Sequence, residues 1–179
     1  MTIHHVIDNL EIGGAETLLL SMCELQKQNG HEVTVHGLFG GGPLVDRFEK
    51  AGIQFISHQK TAKYGLPLAL YRAFERDRPK VVNFHNVTPT VHGAIGAKLA
   101  GVKAVVSTRH GASSHSPRRE RKFWFSARFV DKVVITSAIA EDDFRKDPWT
   151  DPTKLFPIHN GAVIRSDKQP EGNTDQFEF

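Results

Sequence analysis

Several residue types with chemical potential fall at regular intervals along this chain. The earliest is the stretch Asp8-Asn9-Leu10-Glu11-Ile12-Gly13-Gly14-Ala15-Glu16-Thr17. Gly13 and Gly14 are adjacent residues without Cβ, so backbone N–H groups there can approach a ligand closely, and positive φ is open to them. If a helix starts at this point, its unpaired N–H donors and partial positive charge suit a phosphate. The same pair also suits a tight turn with no ligand, because loops between strands and helices are short by default. Further along stand three polar clusters: His85 with Asn86, Arg109-His110-Gly111, and Ser137. Asn160-Gly161 follows near the end. Histidine, arginine, asparagine and serine at such points offer hydrogen bonds and proton-carrying groups.

The elements that must position these groups can be read from apolar periodicity. Ile3 to Ile7 reads as a first strand, and Ala15, Leu18, Leu19, Met22 and Leu25 recur at helical spacing up to Asn29, with Gly30 where a C-cap belongs. Glu32 to His36 is a second strand, Gly40-Gly41-Gly42-Pro43 a loop, Leu44 to Ala51 a short helix, and Ile53 to Ile56 a third strand. A helix over about Leu66–Arg76 leads through Pro79 into strand Val81–Phe84. A small-residue helix, Thr90 to Ala100, follows; its Gly93, Ala94, Gly96 and Ala97 permit close packing on a sheet. Strand Ala104–Thr108, a helix from about Arg118 to Phe129, strand Lys132–Thr136, a helix capped by Ser137 and a short strand Leu155–Ile158 complete the series.

Strands thus alternate with helices, and the later strands are continuous apolar runs, which predicts a single α/β Rossmann-like domain. Its sheet is mostly parallel, with about seven strands and helices on both faces. The polar clusters then share the C-terminal edge of the sheet with the glycine pair, and one shared edge means one cleft. Residues 1–163 are expected to form the domain, and residues 164–179, polar and almost free of apolar side chains, a linker or tail.

Composition sets few further limits. A length of 179 residues suffices for one buried core, and a net charge of +3 permits an anionic partner without requiring one. Cys23 is the single cysteine, so no intrachain disulfide can form. No basic-then-apolar leader or bilayer-length apolar run is present, so the expected location is cytoplasmic. The ten histidines lack the spacing of a zinc motif, and no metal is expected. The basic and aromatic segment Arg118–Phe129 suits three roles. It can present a buried aromatic face with a solvated basic one, it can touch an anionic membrane surface, or it can meet nucleic acid. The last is disfavoured for want of a nucleic-acid-binding fold. An NAD-type oxidoreductase is disfavoured as well: the first turn lacks G-x-G-x-x-G spacing, and no acidic residue ends the second strand.

The chain resembles the N-terminal, acceptor-side domain of the family-4 glycosyltransferases, which have the two-domain GT-B architecture. The resemblance runs through Gly13-Gly14-Ala15-Glu16, Gly30-His31-Glu32-Val33, Val82-Asn83-Phe84-His85, Ser107-Thr108-Arg109-His110-Gly111, Val134-Ile135-Thr136-Ser137 and Ile158-His159-Asn160-Gly161. It implies a retaining, metal-independent transfer of a sugar from a nucleotide-sugar to a sugar- or lipid-linked acceptor, without a cofactor. By that resemblance Gly13 and Gly14 lie under the donor phosphate or sugar, and His110 is the catalytic histidine that orients the donor sugar. His85, Asn86, Arg109 and Ser137 line the acceptor side of the cleft. The family's nucleotide pocket belongs to a C-terminal domain that nothing after Val163 could form. The expectation is therefore half of an enzyme, inactive alone: a truncated form, a fragment or one subunit of a split enzyme. A non-catalytic binding or scaffolding subunit paired with a separate chain is the alternative.

Overall fold

The computed structural model describes residues 1–111 and 116–158, apart from the side chain of Lys63. Asn160, Gly161, the boundary at Val163 and the tail over 164–179 lie outside the described residues. Strands β1 (Thr2–Ile7), β2 (Glu32–Gly37), β3 (Gln54–Ser57), β4 (Val81–His85), β5 (Ala104–Arg109), β6 (Lys132–Ile135) and β7 (Leu155–Pro157) form one sheet. Its order is β3-β2-β1-β4-β5-β6-β7, and every neighbouring pair is parallel. The helices between them are α1 (Gly14–Gln28), α2 (Val45–Lys50), α3 (Leu66–Asp77), α4 (Val87–Leu99), α5 (Pro117–Ala127) and α6 (Ala138–Lys146). Single turns of 3₁₀ helix at Lys63–Gly65 and Pro152–Lys154 were not anticipated from the sequence.

Alternation along each strand divides the core in two. Ile7, Val33 and Val35 pack with Leu19, Leu20 and Cys23 of α1 and Phe48 of α2 on one face. Val6, Val82, Phe84 and Val105 pack with Phe74, Phe123 and Phe144, from α3, α5 and α6, on the other. Burial of each such side chain is worth roughly 1.5–3 kcal/mol. The small-residue helix behaves as its composition requires: a Cβ at Gly93 would run into the Phe84 ring, so only glycine lets α4 lie this close to β4. That helix starts at Val87, earlier than Thr90, because Pro89 is tolerated within a first turn, whose N–H groups have no intrahelical partner.

Two backbone positions shape the C-terminal edge. Asn86, between β4 and α4, has φ 70° and ψ −168°, a conformation that ordinarily belongs to glycine. Gly42 has φ 158°, and a Cβ there would collide with the Leu10 carbonyl, so the loop after β2 lies directly against the loop after β1. Two hydrogen bonds tie these loops, Leu10 N to the Gly41 carbonyl (3.1 Å) and Leu44 N to the Leu10 carbonyl (3.2 Å).

Candidate functional site

The order of succession across the sheet reverses between β1 and β4: β1 leads outward to β2, β4 leads the other way to β5. A crevice opens beyond the strand ends at such a point. Gly13, Gly14 and Asp8 follow β1, His85 and Asn86 end β4 or follow it, and His110 follows β5.

Neither glycine of the pair uses positive φ, contrary to one of the expectations for them. Gly13 is extended at φ −154° and precedes α1 as its N-cap, and Gly14 is the first helical residue. Their contribution is empty space. Among the described residues nothing packs within 4 Å of where a Gly14 Cβ would be, and a Cβ on Gly13 would meet the carboxylate of Glu16. No side chain caps α1, so its leading N–H groups face the crevice end unclaimed by any cap.

His110 is half-buried, and Asn86 Oδ1 accepts a hydrogen bond from its backbone N–H (3.0 Å). Its ring is nearly coplanar with that of His85 and lies end to end with it, the planes 15° apart and the centroids 5.1 Å apart. The nitrogen His110 Nε2 lies 2.8 Å from His85 Nδ1, His85 Nε2 lies 3.1 Å from His5 Nδ1, and His5 Nε2 lies 2.9 Å from Gln26 Oε1 on α1. At the other end, His110 Nδ1 is a buried atom with no hydrogen-bond partner among the described residues. Burial pulls all three histidines below their usual range: His5 to about 4, His85 well below 6.5, and His110 downward too. The chain is therefore neutral near pH 7.

Two expected cleft residues lie elsewhere. His85 is fully buried at 0% exposure and is an interior link beneath His110. Arg109, 3% exposed, points to the opposite face of the sheet, because it follows the alternation of Val105 and Ser107. There its guanidinium donates to both carboxylate oxygens of Glu120 (3.0 and 3.1 Å), between the rings of Phe123 and Phe144 (4.5 and 4.6 Å). Ser137 sits at the strand end as expected, with its hydroxyl already accepting from Ala140 N (3.2 Å) as the cap of α6.

Asp8 was missed. Its Oδ1 is buried without a partner among the described residues, and burial raises the carboxyl's pKa, with Arg119 opposing the rise and Glu16 adding to it. The signal was available, since a carboxylate directly after the first strand lies on the same edge as the glycines.

A second line of histidines crosses the other face of β1. His58 Nε2 meets His36 Nδ1 and His36 Nε2 meets His4 Nδ1, both at 3.0 Å, with Asp77 4.0 Å from His4. The rings of His4 and His36 pack against Phe74, on the face opposite His5 and His85. Among the described residues, no three His, Cys, Asp or Glu side chains are arranged to hold a metal ion.

The basic and aromatic helix α5 buries Phe123 and Trp124 and exposes Arg118, Arg119, Arg121 and Lys122. With α4 and the residues around Trp149 it borders a groove of about 730 Å³. No helix among the described residues is long and apolar enough to cross a membrane.

The fold recurs in solved structures. HepE of Anabaena, crystallised with UDP and with UDP-glucose, superposes with a TM-score of 0.75 at 18–19% identity, over 90% of this chain and 44% of that one. A glycosyltransferase from Rickettsia africae gives 0.73 at 18%, over 89% and 43%. In sequence, the chain is 28% identical over 104 residues to an Escherichia coli UDP-Gal:alpha-D-GlcNAc-diphosphoundecaprenol alpha-1,3-galactosyltransferase, covering 54% of this chain and 27% of that enzyme. The chain thus spans less than half the length of each. The model of Glycosyltransferase Family 4 matches residues 12–164, most of the chain and every strand end along this edge apart from β1 itself. With the parallel sheet and its crevice, that match identifies the chain as a member of Glycosyltransferase Family 4.

Proposed function

We propose that this chain is the acceptor-side half of a retaining, metal-independent glycosyltransferase that moves a sugar from a nucleotide-sugar to a sugar- or lipid-linked acceptor. The observation that carries the reading is the unpartnered Nδ1 of His110, held at the same sheet edge as the uncapped N-terminus of α1. Transfer requires an acceptor oxygen held against the anomeric carbon and stabilisation of the departing phosphate. The first N–H groups of α1 supply part of that stabilisation, and Gly14 leaves room for the phosphate to reach them. His110 hydrogen-bonds the donor sugar, and Asn86 fixes the backbone that carries it. A GT-B C-terminal domain, in cis or in trans, holds the nucleotide. The UDP-sugar named for the Escherichia coli relative and the UDP-glucose bound by HepE favour a UDP-sugar donor.

Alone, these 179 residues should bind nucleotide-sugars weakly and transfer nothing, because one open helix terminus gives only part of the shell that a diphosphate needs. Calorimetric titration with UDP-, GDP- and ADP-sugars, beside a transfer assay, tests this. Adding a separately expressed C-terminal domain should restore turnover, and Gly14→Val should abolish the restored turnover without unfolding the chain, since no atom of the described residues packs within 4 Å of where its Cβ would be. Micromolar binding with turnover by the chain alone, or full activity of the Gly14→Val form, would overturn the reading.

The acceptor of the Escherichia coli relative is carried on a diphosphoundecaprenol lipid, and the outer face of α5 suits a cytoplasmic membrane surface that bears such a lipid. Val91, Ile95 and Trp149 give the groove apolar walls, and Arg121, Lys122 and Arg128 surround them with positive charge. In flotation assays the chain should rise with vesicles containing an anionic lipid and remain behind with neutral ones, and Arg121→Glu with Lys122→Glu should end the binding. Equal partition onto neutral vesicles, or none onto anionic ones, excludes this contact.

A further inference from the structure

His110 enters the crevice as the last of three linked rings, and the link begins on a helix far along the sequence from it. We propose that Gln26 is a positioning residue: acting through His5 and His85, it decides which nitrogen of His110 carries the proton. It thereby presents a bare Nδ1 to a hydroxyl group of the substrate. The proposal rests on the reading above that substrate occupies this crevice.

The assignment follows from counting protons along the chain. Gln26 Oε1 can only accept, so His5 Nε2 donates to it across 2.9 Å. A neutral imidazole carries one proton, and the low pKa of His5 keeps it neutral, so His5 Nδ1 is bare. His85 Nε2 therefore donates to His5 Nδ1 across 3.1 Å, which leaves His85 Nδ1 bare. By the same step His110 Nε2 donates to His85 Nδ1 across 2.8 Å. The remaining nitrogen, His110 Nδ1, is the buried atom without a partner. It has a lone pair and no proton.

Each ring passes the choice to the next, so the two ends are locked together. If the carboxamide were turned to offer its NH₂ group, every ring would take the other tautomer and His110 would meet the crevice as an N–H donor. The orientation of one side chain on α1 thus selects between two chemistries. A bare Nδ1 accepts from an O–H and repels the lone pairs of a phosphate oxygen. It favours a sugar hydroxyl at this point and leaves the phosphate to the N-terminus of α1.

Long-range nitrogen–proton correlation spectra of the nitrogen-15-labelled chain, at neutral pH and without substrate, report both ring nitrogens of each histidine. The wild-type protein should show His110 with a protonated Nε2 and an unprotonated Nδ1, and the same pattern at His85 and His5. Gln26→Met removes the fixed acceptor, so the two His110 resonances should shift towards each other as tautomers mix. Gln26→Glu keeps an acceptor and, above the pH at which the chain gains a proton, should restore the wild-type pattern. A proton on His110 Nδ1 in the wild type, or a His110 pattern unmoved by Gln26→Met, would overturn the proposal. The wild-type spectrum can overturn the proposal by itself, even if a variant fails to fold. Because no substrate is present, a negative result leaves the glycosyltransferase reading intact. The expected tautomers in a protein without transferase activity in any reconstituted form would count against that reading alone.

Discussion

Acidification from pH 6.5 to pH 4 is expected to unfold this domain. Six histidines, His4, His5, His36, His58, His85 and His110, all have pKa values lowered first of all by burial. His4 and His5 each fall from 6.5 to about 4. Between those two values the unfolded chain binds protons that the folded chain refuses, so stability drops as pH falls through the window. Above pH 6.5 both states are neutral at these sites and the full stability is present. At about 1.4 kcal/mol per pKa unit, each of His4 and His5 removes roughly 3 kcal/mol by pH 4. Together they reach the size of a typical domain's entire stability, 5–15 kcal/mol by order of magnitude. Asp8 works in the opposite direction, because its raised pKa favours the folded state on protonation. One carboxyl does not offset six rings. Urea denaturation midpoints followed from neutral pH to pH 4 measure the effect, and a midpoint that stayed constant over that range would refute it.

The second large effect concerns a pair that never touches the crevice. Glu120→Ala is expected to destabilise the domain by about 3–5 kcal/mol, the usual consequence of leaving one member of a buried ion pair uncompensated. Arg109 and Glu120 have side-chain exposures of 4% and 2%, and two aromatic rings enclose the guanidinium, so water cannot replace the lost carboxylate. Changing both partners to apolar residues, Arg109→Met with Glu120→Leu, should recover most of the loss. Denaturant unfolding of the single and double variants gives the comparison. A Glu120→Ala protein within 1 kcal/mol of wild type, on the scale of an exposed pair, would mean that the pair is solvated in solution. Arg109 also immediately precedes His110, and its carbonyl accepts from Thr136 Oγ1 (3.1 Å). Loosening the pair should therefore disturb the histidine as well.

The alternation of strands and helices was legible because each strand is a short apolar run bounded by glycine, proline or a polar end, and the parallel sheet followed from that alternation. Side-chain direction was only partly legible. Arg109 was expected in the cleft because it ends a strand, yet its parity with Val105 already places it on the helix-covered face. His110, one residue later, takes the other parity and joins His85 and Thr108 on the crevice side. The histidine chain could not be read. Its contacts join residues 80, 25 and 21 positions apart, and they depend on a β1–β4 register that sets His5 opposite Asn83. Nor did composition reveal that Gly42 sets the loop after β2 directly against the loop after β1.

Asn86 is subject to two demands that no single residue type meets well. Its backbone, at φ 70° and ψ −168°, asks for glycine, and any other residue there carries strain on the order of 1–3 kcal/mol. Its carboxamide oxygen holds the N–H of His110, which glycine cannot do. A change to glycine would make the domain more stable and release the histidine. A change to aspartate would keep the acceptor but set a negative charge at the strand ends beside His110. In evolutionary terms, position 86 has almost no neutral neighbours. Selection for stability alone would carry the sequence to glycine, and only selection on the crevice would bring it back.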